Sequence, residues 1–248
     1  MPLSKARGII LSRKLSGEAD YLCSVFTKEW GREIIIFKGL KKSKKRSPSA
    51  SETGSVIDFT SYSKQGSGVK TVSQFDLIST PEKVKKKALK IFTLCYMMEI
   101  VDKTTGCSDA DESLYNLLCS AVYNLGKTDH ETNFALFYAI QYLRMQGILP
   151  KMQECSSCGE SAFTACSVNS RNLKILCSGC SSREDLLISK KSLEFIPLSL
   201  KEKFSNINHS AYTEQDLLQL CRVVTDFIEQ YYSVVIKSKE ILLNSPSC

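Results

Sequence analysis

The chain has 248 residues, 43% apolar and 24% charged, with a formal net charge of +7, values of an ordinary globular protein with one or two domains and a substantial core. No run approaches the ~18 apolar residues of a membrane helix, and the patch Ile9-Ile10-Leu11 is too short for an export signal, so a cytoplasmic protein with no membrane partner is expected. Eleven cysteines without such a signal indicate metal binding and buried free thiols rather than disulfides, and Cys248 stands last, not fourth from last, so it is no prenylation signal.

The first 80 residues read as strands. Five β-rich runs recur at Ala6–Arg13, Tyr21–Thr27, Glu33–Lys38, Val56–Tyr62 and Val69–Ile78. Turn signals part them: Ser16-Gly17-Glu18, Trp30-Gly31, the stretch from Ser47 to Ser55, and Gly66-Ser67-Gly68. Partial alternation (Arg7/Ile9/Leu11; Tyr21/Cys23/Val25; Phe75/Leu77) suits half-buried antiparallel strands. Five short strands are too few for a sandwich and fit a small closed barrel. The OB-fold is the commonest such barrel that binds nucleic acid, with an SH3-like barrel as the alternative, and periodicity alone does not separate them.

At Thr80-Pro81 the period changes. Thr80 as N-cap and Pro81 at N1 open a helix to about Asp102, with Val84, Ala88, Ile91, Cys95 and Met98 on one face. A second helix is expected over Asp109–Leu125, with Leu114, Leu117, Leu118, Ala121, Val122 and Leu125 facing inward. A third covers about Glu131–Gln146 and stops at Gly147. A long helix starts after Thr213, where Thr213-x-x-Asp216 reads as a capping box; its apolar face includes Leu217, Leu220, Cys221, Val224, Ile228, Tyr231 and Val235. The stripes require mutual burial, so the helices are expected to form one bundle. The fold class is therefore α+β: an N-terminal five-stranded OB-fold β-barrel (1–79), then an α-helical bundle domain (80–248) with an inserted four-cysteine zinc knuckle at about 152–184.

The insertion carries the most specific signal. Cys155-Ser-Ser-Cys158 and Cys177-Ser-Gly-Cys180 are two C-x2-C pairs with 18 residues between them, the spacing of a zinc ribbon or knuckle. Two intervening residues form a tight turn that aims both sulfurs at one ion, and Gly159 and Gly179 stand where such turns need unusual dihedrals. Four thiolates around one structural Zn2+ leave no open position for water. Cys166, between the pairs, is a competing ligand. Cys23, Cys95, Cys119 and Cys221 read as small hydrophobes.

The positive charge is confined. Residues 1–80 carry 14 basic and 7 acidic side chains, whereas 81–248 carry 19 of each. Lys38, Lys41, Lys42, Lys44, Lys45 and Arg46 place six cations in nine residues with no acid. That stretch is expected to be a flexible loop leaving the barrel, suited to a phosphate backbone; the plain alternative is a solvated surface loop. Arg13, Lys14 and Arg32 complete the candidate DNA-binding set. A second patch, Lys83, Lys86, Lys87 and Lys90, is expected on one helix face, and Trp30 is expected to be exposed in its turn, where it could stack on bases.

Nothing asks for catalysis. His130 and His209 are placed as surface residues, Gly66-Ser67-Gly68-Val69-Lys70-Thr71 has the wrong spacing for a phosphate loop, and no H-E-x-x-H, G-x-S-x-G or G-x-G-x-x-G motif occurs.

The order of parts resembles the RecO family of bacterial recombination mediators, of the RecF–RecO–RecR pathway. The stretches that carry the likeness are Gly8-Ile9-Ile10-Leu11, Gly17-Glu18-Ala19-Asp20, Phe26-Thr27-Lys28-Glu29-Trp30-Gly31, Lys38-Gly39 with the basic residues after it, Phe137 through Gly147-Ile148-Leu149-Pro150, and Val235-Ile236-Lys237-Ser238. Where family members often carry a glycine-rich turn before the second cysteine pair, this chain reads Asn169-Ser170-Arg171-Asn172. The resemblance implies a non-enzymatic DNA repair and recombination mediator on the bacterial nucleoid. Such a protein binds single- and double-stranded DNA, anneals complementary strands, and with RecR helps load RecA on DNA coated by single-strand-binding protein. Two other readings compete: a zinc-ribbon adaptor that touches proteins but no DNA, and a nuclease or ligase subunit with metal-dependent turnover.

Overall fold

A computed structural model describes residues 3–63, 68–152, 154–161, 165–169, 171–182, 186–206 and 211–244. Gly66 and Ser67 of one expected turn, His209 and Cys248 lie outside the described residues. The chain divides into two compact units, Met1–Lys127 and Thr128–Cys248.

The first unit is built on β1 (Ser4–Ser16), β2 (Asp20–Thr27), β3 (Gly31–Phe37), β4 (Val56–Ser63) and β5 (Lys70–Ser79). They close into a barrel in the order β1-β2-β3-β5-β4. All pairs are antiparallel except β3 with β5, where Ile35 and Ile36 face Lys70 and Thr71 in parallel. This Greek-key closure is the OB arrangement. The interior is filled by alternate residues: Ala6 and Ile10, Cys23 and Val25, Ile35 and Phe37, Ile57 and Phe59, and Val72. Phe37 and Phe75 meet edge to face at 5.2 Å.

Ile9 and Leu11 point the other way, yet both are buried, because α1 (Ala88–Thr104) and α2 (Glu112–Leu125) pack on the outside of β1. α1 and α2 thus belong to the first compact unit and the later helices to the second. The apolar outer face of β1 takes the stripes of α1 and α2, and only the later helices make the core of the second unit. The barrel ends near residue 80 in secondary structure, whereas the compact units divide at Lys127/Thr128.

The first helix also starts later than Pro81. The N–H groups of Val84 and Lys85 turn back onto the Pro81 carbonyl at 2.9 and 3.2 Å. A 3-10 turn over Val84–Lys86 buries Val84, and Lys87 is extended before α1 begins. This break rotates the buried face to Leu89, Thr93, Leu94, Met97, Ile100 and Val101, leaving Ala88, Ile91 and Cys95 outside it. α2 starts at Glu112 and buries Leu114, Leu118, Ala121 and Leu125 of the expected face, together with Tyr115, while Leu117 and Val122 are half-buried; the Asp111 carboxylate accepts the Leu114 N–H at 2.9 Å as N-cap.

The second unit surrounds α3 (Glu131–Met145), whose residues Phe134 to Ile140 are all fully buried. α4 (Lys190–Lys201) and α5 (Glu214–Tyr232) pack on it, and α6 (Ser238–Asn244) packs on α5. The chain leaves α3 through Gly147, as expected. The capping box at Thr213 and Asp216 is formed, with bonds of 2.9 and 3.2 Å. Leu217 to Ile228 bury the expected face, but α5 ends at Tyr232. Tyr231, in the last turn of α5, and Val235 are 56% and 68% exposed, against expectation; Val235 leaves the helix face because the chain turns at Ser233 in a left-handed conformation. Between α3 and α4 lies a small sheet of β6 (Ala165–Val168), β7 (Ile175–Cys177) and β8 (Leu186–Ser189), in the order β7-β6-β8. No helix among the described residues is long and apolar enough to cross a membrane.

Candidate metal centre and basic surface

The four sulfurs of Cys155, Cys158, Cys177 and Cys180 lie within 4.8 Å of one another. Each C-x2-C segment is a tight turn: the Gly159 N–H returns to the Cys155 carbonyl at 2.8 Å, and the Cys180 N–H to that of Cys177 at 3.0 Å. Gly159 has φ 77 and needs its missing side chain there. Gly179 does not adopt the left-handed region, so the second turn uses an ordinary backbone. The Ser156 N–H bonds the Ile175 carbonyl at 2.8 Å, which ties the first turn to β7 and brings the two pairs face to face.

The donor set fits a metal. Sulfurs placed ~2.3 Å from one tetrahedral zinc stand roughly 3.8 Å apart; those of Cys158 and Cys177 are 3.7 Å apart, far beyond a disulfide. The N–H groups of Cys177 and Cys158 point at the Cys155 sulfur, which lowers that thiol to about 6 and prepares it as a thiolate. Cys166 is no competitor: it is buried in β6 and its thiol donates to the Ile188 carbonyl at 3.7 Å. Asparagines close the β6–β7 turn. The Asn169 and Asn172 side chains accept the N–H groups of Arg171 and Lys174, each at 3.0 Å, while Leu173 takes a left-handed φ of 53.

The basic stretch is a folded turn rather than a flexible loop. Leu40 is fully buried in the barrel core within a 3-10 turn. The Asp20 carboxylate accepts the Lys38 ammonium at 2.6 Å and the Gly39 N–H at 2.8 Å, which holds Asp20 below its ordinary pKa. The Lys41 N–H bonds the Ala19 carbonyl at 3.0 Å. Arg46 closes the turn, its guanidinium on the Lys38 carbonyl at 2.6 Å and its N–H on the Ser43 hydroxyl at 3.0 Å. Lys42 pairs with Glu18 at 3.0 Å. Lys41, Lys44 and Lys45 are exposed and have no ion-pair partner among the described residues.

Strand register puts Arg13 and Lys14 at this same barrel end, since they face Cys23 and Leu22, next to Tyr21 and Phe37. Arg13 lies over the Tyr21 ring at 4.7 Å, and Lys14 is exposed. Arg32 is not brought to this group. It stands at the opposite end of β3, donating to the Thr105 carbonyl at 2.9 Å and the Cys107 sulfur at 3.4 Å, with Asp102 at 3.7 Å. Trp30 is half-buried against the barrel core with the Lys70 ammonium 4.2 Å above its ring, so it offers no open stacking face of the kind expected. The Lys83, Lys86, Lys87, Lys90 patch does not share one face either, because the 3-10 turn interrupts the helix and Lys90 is buried. His130 is half-buried at the start of α3.

The supporting residues Glu18, Asp20 and Tyr21 were not legible as part of this surface, since only strand pairing brings them to the turn. Family models match nearly the whole chain: "Recombination protein O N terminal" over residues 1–81 and "Recombination protein O C terminal" over residues 86–240. Among curated relatives, the DNA repair protein RecO of Oceanobacillus iheyensis is 24% identical over 243 residues, covering 97% of this chain and 93% of the relative. That of Leptospira biflexa is 27% identical over 230 residues, covering 88% and 90%. That of Caldanaerobacter subterraneus subsp. tengcongensis is 21% identical over 246 residues, covering 98% of each. An OB-like barrel, a following helical part and matches to both family models lead to one assignment: the chain belongs to the recombination protein O family of DNA repair proteins.

Proposed function

We propose that the barrel grips the DNA backbone through one cationic end, and that the protein anneals complementary strands without covalent chemistry of its own. The observation that carries this reading is the grouping of four exposed lysines at one end of the barrel: Lys14, placed there by the β1–β2 register, and Lys41, Lys44 and Lys45, on the turn held by the Leu40 anchor and the Asp20 clasp. Arg13 and Arg46 add to the field of that end, Lys38 and Lys42 shape it through their pairs with Asp20 and Glu18, and Arg32 serves the fold. Point charges on a rigid turn attract phosphates of any sequence and release counterions, and neutralising both strands removes the repulsion that opposes pairing.

The four cysteines hold zinc, which folds the knuckle but activates no water, since all four positions are thiolates. The second unit receives the protein partners: RecR, single-strand-binding protein and, through RecR, RecA. The protein acts in the cytoplasm on the nucleoid.

The test is the salt dependence of single-strand binding by the full-length protein. Neutralising about four phosphates gives a slope of log affinity on log salt near −3, and replacing Lys41, Lys44 and Lys45 by Ala should flatten it to about −1 while weakening all sequences alike. An unchanged slope sinks the basic turn as the DNA site.

A further inference from the structure

A second concavity lies toward the other end of the barrel. On the outer face of β1, β4 and β5 the register sets Lys5, Thr60 and Gln74 in one row and Arg7, Asp58 and Asp76 in the next. With Lys28 and Glu29 of the β2–β3 turn they line a cavity of about 550 Å³, a size suited to a small ligand. Its charges cancel: Lys5, Arg7 and Lys28 against Glu29, Asp58 and Asp76. Lys28 is further engaged by Glu112 at 2.9 Å. A phosphate chain gains nothing from such a lining, whereas a neutral, polar ligand loses nothing.

One wall is a planar ion pair. Arg7 donates from Nε and Nη2 to the two oxygens of Asp58 at 2.6 and 2.7 Å, the fork-to-fork geometry that fixes a guanidinium in its plane. The Arg7 N–H donates to Glu29 at 3.1 Å, which ties the turn to this wall. Both side chains remain open, 49% and 39% exposed. A guanidinium pinned by its edge presents a flat face, and such faces stack on nucleobases. Beside it, Gln74 offers an amide donor and acceptor, Thr60 a hydroxyl and Asp76 an acceptor, the mixed set that the edge of a base requires. The side chains of Gln74 and Asp76 have no partner among the described residues. A peptide adding as a strand is disfavoured, because the closed barrel leaves no free edge.

We propose that this cavity receives one splayed base of a single strand, stacked on the Arg7–Asp58 plane. The inference rests on the reading of the barrel as a single-strand binder. It gives the protein two footholds of different chemistry at opposite ends of β2, a strand of 8 residues and therefore about 25 Å. One holds phosphates and the other holds a base.

The experiment compares full-length protein binding to an oligonucleotide and to the same strand with abasic sites. The wild type should favour the intact strand by ~10-fold. Arg7→Lys, which keeps the charge but loses the plane, and the surface pair Gln74→Ala/Asp76→Ala should each bring that ratio toward one, with the salt slope unchanged. Should Arg7→Lys fail to fold, the surface pair alone decides. A wild-type ratio of one, or a ratio unmoved by the surface pair, overturns the cavity while leaving the basic turn intact. If the wild type binds neither strand at low salt, the DNA reading fails and this inference fails with it.

Discussion

Single residues tie strands to helices in ways that local pattern does not announce. Gly31 has φ 68, and a Cβ there would stand 2.0 Å from the Asp109 carbonyl oxygen. The loop between α1 and α2 runs so close because Cys107 bridges Arg32 and the Ser108 N–H bonds the Arg32 carbonyl at 3.3 Å. Gly31→Ala should therefore cost at least ~2 kcal/mol, combining a left-handed backbone with a backbone clash. Denaturant unfolding measures it, and a loss below ~0.5 kcal/mol would mean that the loop moves away at little cost. Asp102 is a second tie, accepting the hydroxyls of Ser12 at 2.9 Å and Ser24 at 2.5 Å. The zinc-like spacing of the cysteines was plain from the sequence because both halves of each turn are local. Asp102, Asp20 and the Arg7–Asp58 pair were not, because their partners are set by strand register and, for Asp102, by the packing of α1 on β1.

Among the elements, those with a clean local period were legible and those shaped by their neighbours were not. The five strands were found within a few residues, since alternation and turn residues act over short distances. α4 was missed. Pro197 lies inside it and reads as a break, but Gln141 and Arg144 of α3 donate to the carbonyls of Ser199 and Leu200 and complete its last turn. The start of α5 was legible from its capping box, and it carries a pH-dependent contribution. The Lys191 ammonium, with the N–H and hydroxyl of Thr213, holds Asp216 down at about 2. A carboxylate depressed in the folded state stabilises it above the ordinary range, near pH 4, and that contribution is lost as pH falls through about 2. Asp216→Asn should cost about 1 kcal/mol at neutral pH. Urea unfolding of both proteins should show the gap closing between pH 4 and 2, and a gap that stays constant across that window would detach Asp216 from the stability of α5.

At the scale of the whole molecule, the confinement of charge and the confinement of cysteine pairs belong to different compact units. The barrel was legible as a barrel, but its outer helices were not legible as its own. Ile9-Ile10-Leu11 is a run without alternation, the mark of a strand buried on both faces, and that second face is covered by α1 and α2. Separate cores have a thermodynamic consequence. The knuckle between α3 and α4 is short and polar, and a metal held by its four cysteines, as proposed above, couples its binding to the folding of the second unit. Removing the metal with a chelator, or replacing Cys155 by Ser, should lower one of two calorimetric transitions and leave the other in place. The salt slope of single-strand binding should stay near its starting value, since the basic turn draws on Leu40 and Asp20 and on no residue of the knuckle. One transition that falls as a whole would mean that the two units unfold together and that a metal at the four cysteines supports the basic end of the barrel as well.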